Sequence, residues 1–145
     1  MRFSIARAVR VSLSDWRLLL GASLIQVLTA CALRTLSLPT LRMLFARLRP
    51  LVNFMLKGSE ERVIWAIEAT GRRLAGLSTC LVRALIVDLR LSTPERPLRL
   101  TIGVKRAPVG DLHAHAWVDD RRRILIGGST AEEFLPLVAW DSLRT

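Results

Sequence analysis

The chain has 145 residues with 51% hydrophobic residues and a formal net charge of +10. That is one domain's worth of chain, long enough for a real core and too short for two well-developed ones. Its apolar content excludes intrinsic disorder and points to a partner surface or membrane proximity. The basic excess is uneven: residues 1–79 hold 12 Lys+Arg against 4 Asp+Glu, and residues 80–145 hold 10 against 8. A basic front half can meet an acidic peptide, an anionic lipid or nucleic acid. The arginines alternate with leucines and no zinc-finger, homeodomain or RNA-binding motif is present, so nucleic acid is set aside. Two cysteines, Cys31 and Cys80, make no disulfide framework and suit a reducing cytoplasm.

In chain order, residues 1–13 read as a short strand or basic lead-in, and Ser14 as the cap of a helix running to about Arg34. Within that helix Leu18 to Leu33 is sixteen uncharged residues, short of the ~20 that a bilayer asks for. A buried core helix is the first reading. Export is the second, because Leu28-Thr29-Ala30-Cys31 resembles a lipoprotein cleavage box. Pro39 opens a second helix that Pro50 is expected to break or kink, and Ser59-Glu60-Glu61 opens a third, with Val63, Ile64 and Ile67 inward.

Ser78-Thr79-Cys80 then reads as the start of a fourth helix, with Ser78 capping, Leu81, Ala84, Leu85 and Leu89 buried, and Arg83 and Arg90 exposed. A thiol at the positive end of a helix is favoured as thiolate, the form that attacks carbonyl carbon. Leu98 to Val104 alternates as a half-buried strand, and Leu112 to Val118 as another, with His113, His115 and Trp117 on one face. Asp119-Asp120-Arg121 is a hairpin turn, Gly127-Gly128 ends the returning strand, Thr130 to Glu133 is a short helical turn, and Leu135 to Trp140 adds an edge segment. Cys80 with a histidine is the pairing that acyl transfer by a cysteine enzyme requires. Its plain counterpart is a small buried cysteine. Cys80, His113 and His115 find no fourth ligand at zinc-like spacing, so no metal and no cofactor is expected.

The run Cys80-Leu81-Val82-Arg83-Ala84-Leu85, then Ile102-Gly103-Val104, Ala114-His115-Ala116-Trp117-Val118, and a closing Phe134, Pro136, Leu137 resembles the leader peptidases of lasso-peptide biosynthesis. These are transglutaminase-like cysteine proteases. The resemblance implies an α+β fold: N-terminal helices over residues 1–73, then a transglutaminase-like or papain-like core over 74–145, with the nucleophile helix packed on a small antiparallel sheet. It implies Cys80 as nucleophile and His115 as base, with Trp117 and, more weakly, His113 lining the cleft. It implies as partners the precursor peptide, a separate leader-recognition protein of winged-helix type docking on the basic front half, and an ATP-dependent cyclase. The expected setting is the cytoplasm, with membrane contact left open. The third catalytic group stays open too, since the family's aspartate, twelve residues after the histidine, is here Gly127. Asp111, Asp120 or a backbone carbonyl are the candidates. The reading from another class is a membrane-associated or scaffold protein with a structural cysteine.

Overall fold

The computed structural model describes residues 12–106, 108 and 110–141. The lead-in expected over 1–13 therefore falls outside the described residues, apart from Ser12 and Leu13 at the first helix. The fold is α+β: four helices and one four-stranded antiparallel sheet. Helices α1 (Leu13–Leu33), α2 (Leu38–Met55), α3 (Glu60–Gly71) and α4 (Cys80–Leu91) come first. Strands β1 (Arg99–Arg106), β2 (Leu112–Asp119), β3 (Ile124–Ile126) and β4 (Leu135–Asp141) follow, with a 3-10 turn at Gly128–Glu133 between the last two. Strand order is β3-β2-β1-β4.

Helix α1 is capped by Ser12 rather than Ser14. A capping box needs an acceptor three residues after the cap. Asp15 stands three after Ser12, whereas Arg17, three after Ser14, cannot accept. Asp15 takes the Ser12 backbone N–H at 2.9 Å and is also ion-paired with Arg62 of α3. Helix α2 runs on past Pro50 to Met55, longer than expected. Proline removes one intrahelical bond. The carbonyl it strands belongs to Ala46, which is exposed, so water can take its place.

The core joins all four helices to one face of the sheet. Ile25, Phe45, Ile67, Val82, Leu85 and Ile86 pack with Leu100, Ala116, Val118 and Ile126. Helix α4 lies between the other helices and the sheet, so Val82 and the stretch Ala84 to Asp88 are all buried. Leu81 and Leu89, expected inside, are only partly covered, and Val82, Ile86 and Val87 take the inner positions. A one-sided pattern was the wrong template for a helix enclosed on two sides.

Two polar devices fix the ends of this layer. Gln26, fully buried in α1, donates to Thr70 Oγ1 at 2.6 Å and to the Ile67 carbonyl at 3.2 Å, and its Oε1 accepts from Ser78 Oγ. A buried amide must be satisfied; here its partners tie α1 to α3 and to the turn that begins α4. At the other end Arg96 bridges Glu60, at the start of α3, to Asp120 in the β2–β3 hairpin, and Arg123 reaches Glu60 at 2.6 Å.

The Arg96 guanidinium, with the Arg123 and Arg122 backbone N–H groups, holds the Asp120 carboxyl well below the usual carboxylate range. A folded-state pKa below the unfolded one gives stability that is present above about pH 4 and lost as pH falls through the folded value. Thermal melts between pH 7 and 2 are expected to show this loss, and Asp120→Asn, less stable at pH 7, should lose less over the same range. A variant with an unchanged acid slope would remove Asp120 as the cause. Arg96 is partly open to solvent, so screening keeps the effect modest.

Candidate active site

Cys80 is the first residue of α4. The cap is Thr79, whose Oγ1 accepts from the Val82 N–H at 3.2 Å, and not Ser78, whose hydroxyl is committed to Gln26. The Arg83 amide bonds the Thr79 carbonyl at 3.1 Å. First-turn amides have no partner inside the helix, so the N–H groups of Cys80 and Leu81 remain to meet an oxyanion. Cys80 is a free thiol, half-buried and packed against the core, while Cys31 is exposed.

His115 sits midway along β2, opposite Gly103 of β1. Its ring stacks near Trp117, with centroids 6.1 Å apart, and meets Phe134 at 5.0 Å. Nε2 lies 2.7 Å from the carbonyl oxygen of Gly127. A carbonyl only accepts, so Nε2 carries the hydrogen, and in the neutral ring Nδ1 presents its lone pair. The imidazole is thus held by a main-chain carbonyl. Of the carboxylates considered for that role, Asp120 is engaged by Arg96 and by the amides of Arg122 and Arg123; its neighbour Asp119 accepts from the Arg121 amide.

Gly127 can do this because it turns the chain in the left-handed region, at φ +80°, as β3 passes into the 3-10 turn. Trp117 is buried with its ring over Gly103, where an added Cβ would stand 2.8 Å from the ring. The missing side chain at Gly103 makes the slot that holds the indole beside the imidazole. His113 is exposed, opposite Lys105, and has no hydrogen bond or ring contact among the described residues. Lys105 Nζ lies 4.9 Å from the centre of the Phe134 ring that meets the imidazole, and pairs with Glu133. Lys105 and Glu133 were not foreseen as neighbours of the site, because their pairing needs the 3-10 turn to fold back on β1.

The structure brings together His115, Trp117, Phe134 and Gly127. It does not bring Cys80 and His115 into a hydrogen bond among the described residues. Ala116 and Val118 belong to the core that α4 packs on, and His115 and Trp117 alternate to the other side of the strand. Among the described residues no group of three His, Cys, Asp or Glu is placed to hold a metal ion.

Neither a curated protein nor a solved structure matches the chain. The family described as Transglutaminase-like superfamily, which includes cysteine proteases, matches residues 23–139. That match takes in the second half of α1 as well as the cysteine helix and the histidine strand, so with four helices and a small antiparallel sheet the chain belongs to the transglutaminase-like superfamily.

Proposed function

We propose that the chain is a cysteine endopeptidase that removes the leader from a lasso-type precursor peptide, with Cys80 as nucleophile and His115 as base. The observation that carries this reading is the imidazole held through Nε2 by Gly127, which leaves Nδ1 free to take a proton. Topology supplies support. Ser92, after the end of α4, bonds the Leu98 amide just before β1, so the chain doubles back there. Twelve helical residues rise about 18 Å, as do about five residues of strand, so by length alone Cys80 reaches about the level of Gly103 and its strand partner His115, on the opposite face of the sheet from the imidazole.

Resting catalytic contacts are often long and tighten only in the substrate complex. His115 alternates away from the face that α4 covers. In this reading docking of the precursor therefore also swings the imidazole round the edge of β2, which β3 pairs only at Val118 and Asp119, before sulfur and imidazole meet. Nδ1 then takes the thiol proton, the thiolate adds to the scissile carbonyl, and the oxyanion meets the Cys80 and Leu81 amides. Collapse of the adduct breaks the C–N bond as Nδ1–H protonates the leaving amine. Water, deprotonated by Nδ1, hydrolyses the thioester. A separate leader-recognition protein delivers the precursor, and an ATP-dependent cyclase in the cytoplasm takes the freed core.

His115→Ala is expected to lower kcat/KM for precursor cleavage by roughly 10³-fold with KM little changed and the circular dichroism spectrum preserved. His113→Ala should stay within about twofold. A folded His115→Ala protein that still cleaves would refute the assignment and favour the scaffold reading, in which Cys80 is a core side chain.

A further inference from the structure

Helix α1 is apolar on both sides. Its inner side packs on the core, and its outer side exposes Leu13, Trp16, Leu20, Leu24 and Leu28, each more than half open to solvent. These recur every three or four residues, so they form one stripe along a 21-residue helix about 31 Å long. Arg17 is the only charged exposed residue within α1, and it reaches across to the Phe54 ring of α2, 6.0 Å from its centre. Phe54 is exposed, as are Leu51, Leu48 and Leu44 on α2. Monomeric proteins seldom leave so long an apolar face open.

We propose that this face, the outer side of α1 with the adjoining side of α2, lies on the surface of an anionic lipid bilayer. Charge points to the occupant. The two helices and the α1 cap carry Arg17, Arg34, Arg42, Arg47 and Arg49 against a single acid, Asp15, which is buried and paired with Arg62. A second copy would set arginines against arginines and bring no acid. A protein partner is anchored by Trp, Tyr and Arg, with leucine under-represented; this stripe is four leucines and one tryptophan and offers few groups for directional hydrogen bonds. Leucines with a tryptophan at one end and arginines at the margin match an interfacial helix.

The helix lies on the bilayer and does not cross it. Crossing would strip the buried Gln26 amide from Thr70, Ile67 and Ser78 and pull α1 out of the core. Being on α1 and α2, the surface is independent of the peptidase reading.

The purified chain is mixed with vesicles of phosphatidylglycerol and phosphatidylethanolamine, or of phosphatidylcholine alone, and sedimented. Most of the protein should pellet with the anionic vesicles, little with the zwitterionic ones, and an alkaline carbonate wash should release it. The Leu20→Glu/Leu24→Glu variant should bind the anionic vesicles roughly tenfold or more weakly at an unchanged Tm, since both positions are exposed. Failure to pellet, equal binding by the variant, or resistance to carbonate would overturn the proposal. So would a dimer in light scattering, or a complex with the leader-recognition protein, that the variant dissolves in the absence of any vesicle binding.

Discussion

Cys80→Ala is expected to abolish cleavage of the precursor, by roughly 10⁴-fold or more, while the protein keeps its melting temperature within a few degrees. The fold should survive because Cys80 is the first residue of α4 and only partly buried. Loss of one sulfur there opens a small, solvent-connected space rather than a core cavity. The cap is unaffected, since Thr79 Oγ1 and the Val82 amide do not involve the thiol. Cys31→Ser serves as the control. Cys31 is exposed at the far end of α1, and its replacement should leave cleavage unchanged. Mass spectrometry of the precursor after incubation gives the readout. A folded Cys80→Ala protein that cleaves at the original rate would end the nucleophile assignment, and loss of activity in Cys31→Ser instead would move it to the other thiol.

The elements that carry this prediction were legible in the sequence because their signals are local. Serine or threonine before an apolar run, proline in a first turn and strict alternation through Leu98–Val104 and Leu112–Val118 give three helix starts and two strands nearly to the residue. What was not legible depended on contacts distant in sequence. Ser78 looked like the cap of α4 until Gln26, 52 residues earlier, engaged its hydroxyl. Ser14 lost to Ser12 because the reciprocal partner decides a capping box and serine occurs twice in the stretch. Pro50 breaks an isolated helix, yet α2 continues because packing of Leu41, Phe45 and Val52 on one side outweighs one lost bond. At the site itself, Cys80, His115 and Trp117 stood out by residue type. The oxygen that orients His115 did not, because a carbonyl belongs to every residue and carries no mark in the sequence. Gly127 registered as the end of a strand and the absence of an aspartate, and not as the source of that oxygen.

That substitution is the more exacting test. If Gly127 were merely a lost catalytic residue, Gly127→Asp would restore a carboxylate at the family position and raise activity. The geometry predicts the reverse. Gly127 has φ +80°, a conformation that aspartate tolerates better than most residues but at some cost. The larger obstacle is steric: a Cβ there would lie 2.6 Å from the Ala116 carbonyl oxygen, 3.0 Å from Trp117 Cβ and 3.1 Å from Trp117 Cα. Two of these three atoms are main chain of β2, the strand that carries His115, so relief requires β3 and β2 to move apart. Gly127→Asp and Gly127→Ala should therefore each destabilise the protein by about 2–4 kcal/mol in denaturant titrations. Both should also lower cleavage, because the Gly127 carbonyl then withdraws from Nε2 and the imidazole loses the contact that fixes its tautomer. The alanine variant separates the two causes: it adds the Cβ without the carboxylate. Equal losses would assign the effect to the crowded backbone, whereas an aspartate variant more active than the native chain, at undiminished stability, would show that the carbonyl is no substitute for the acid.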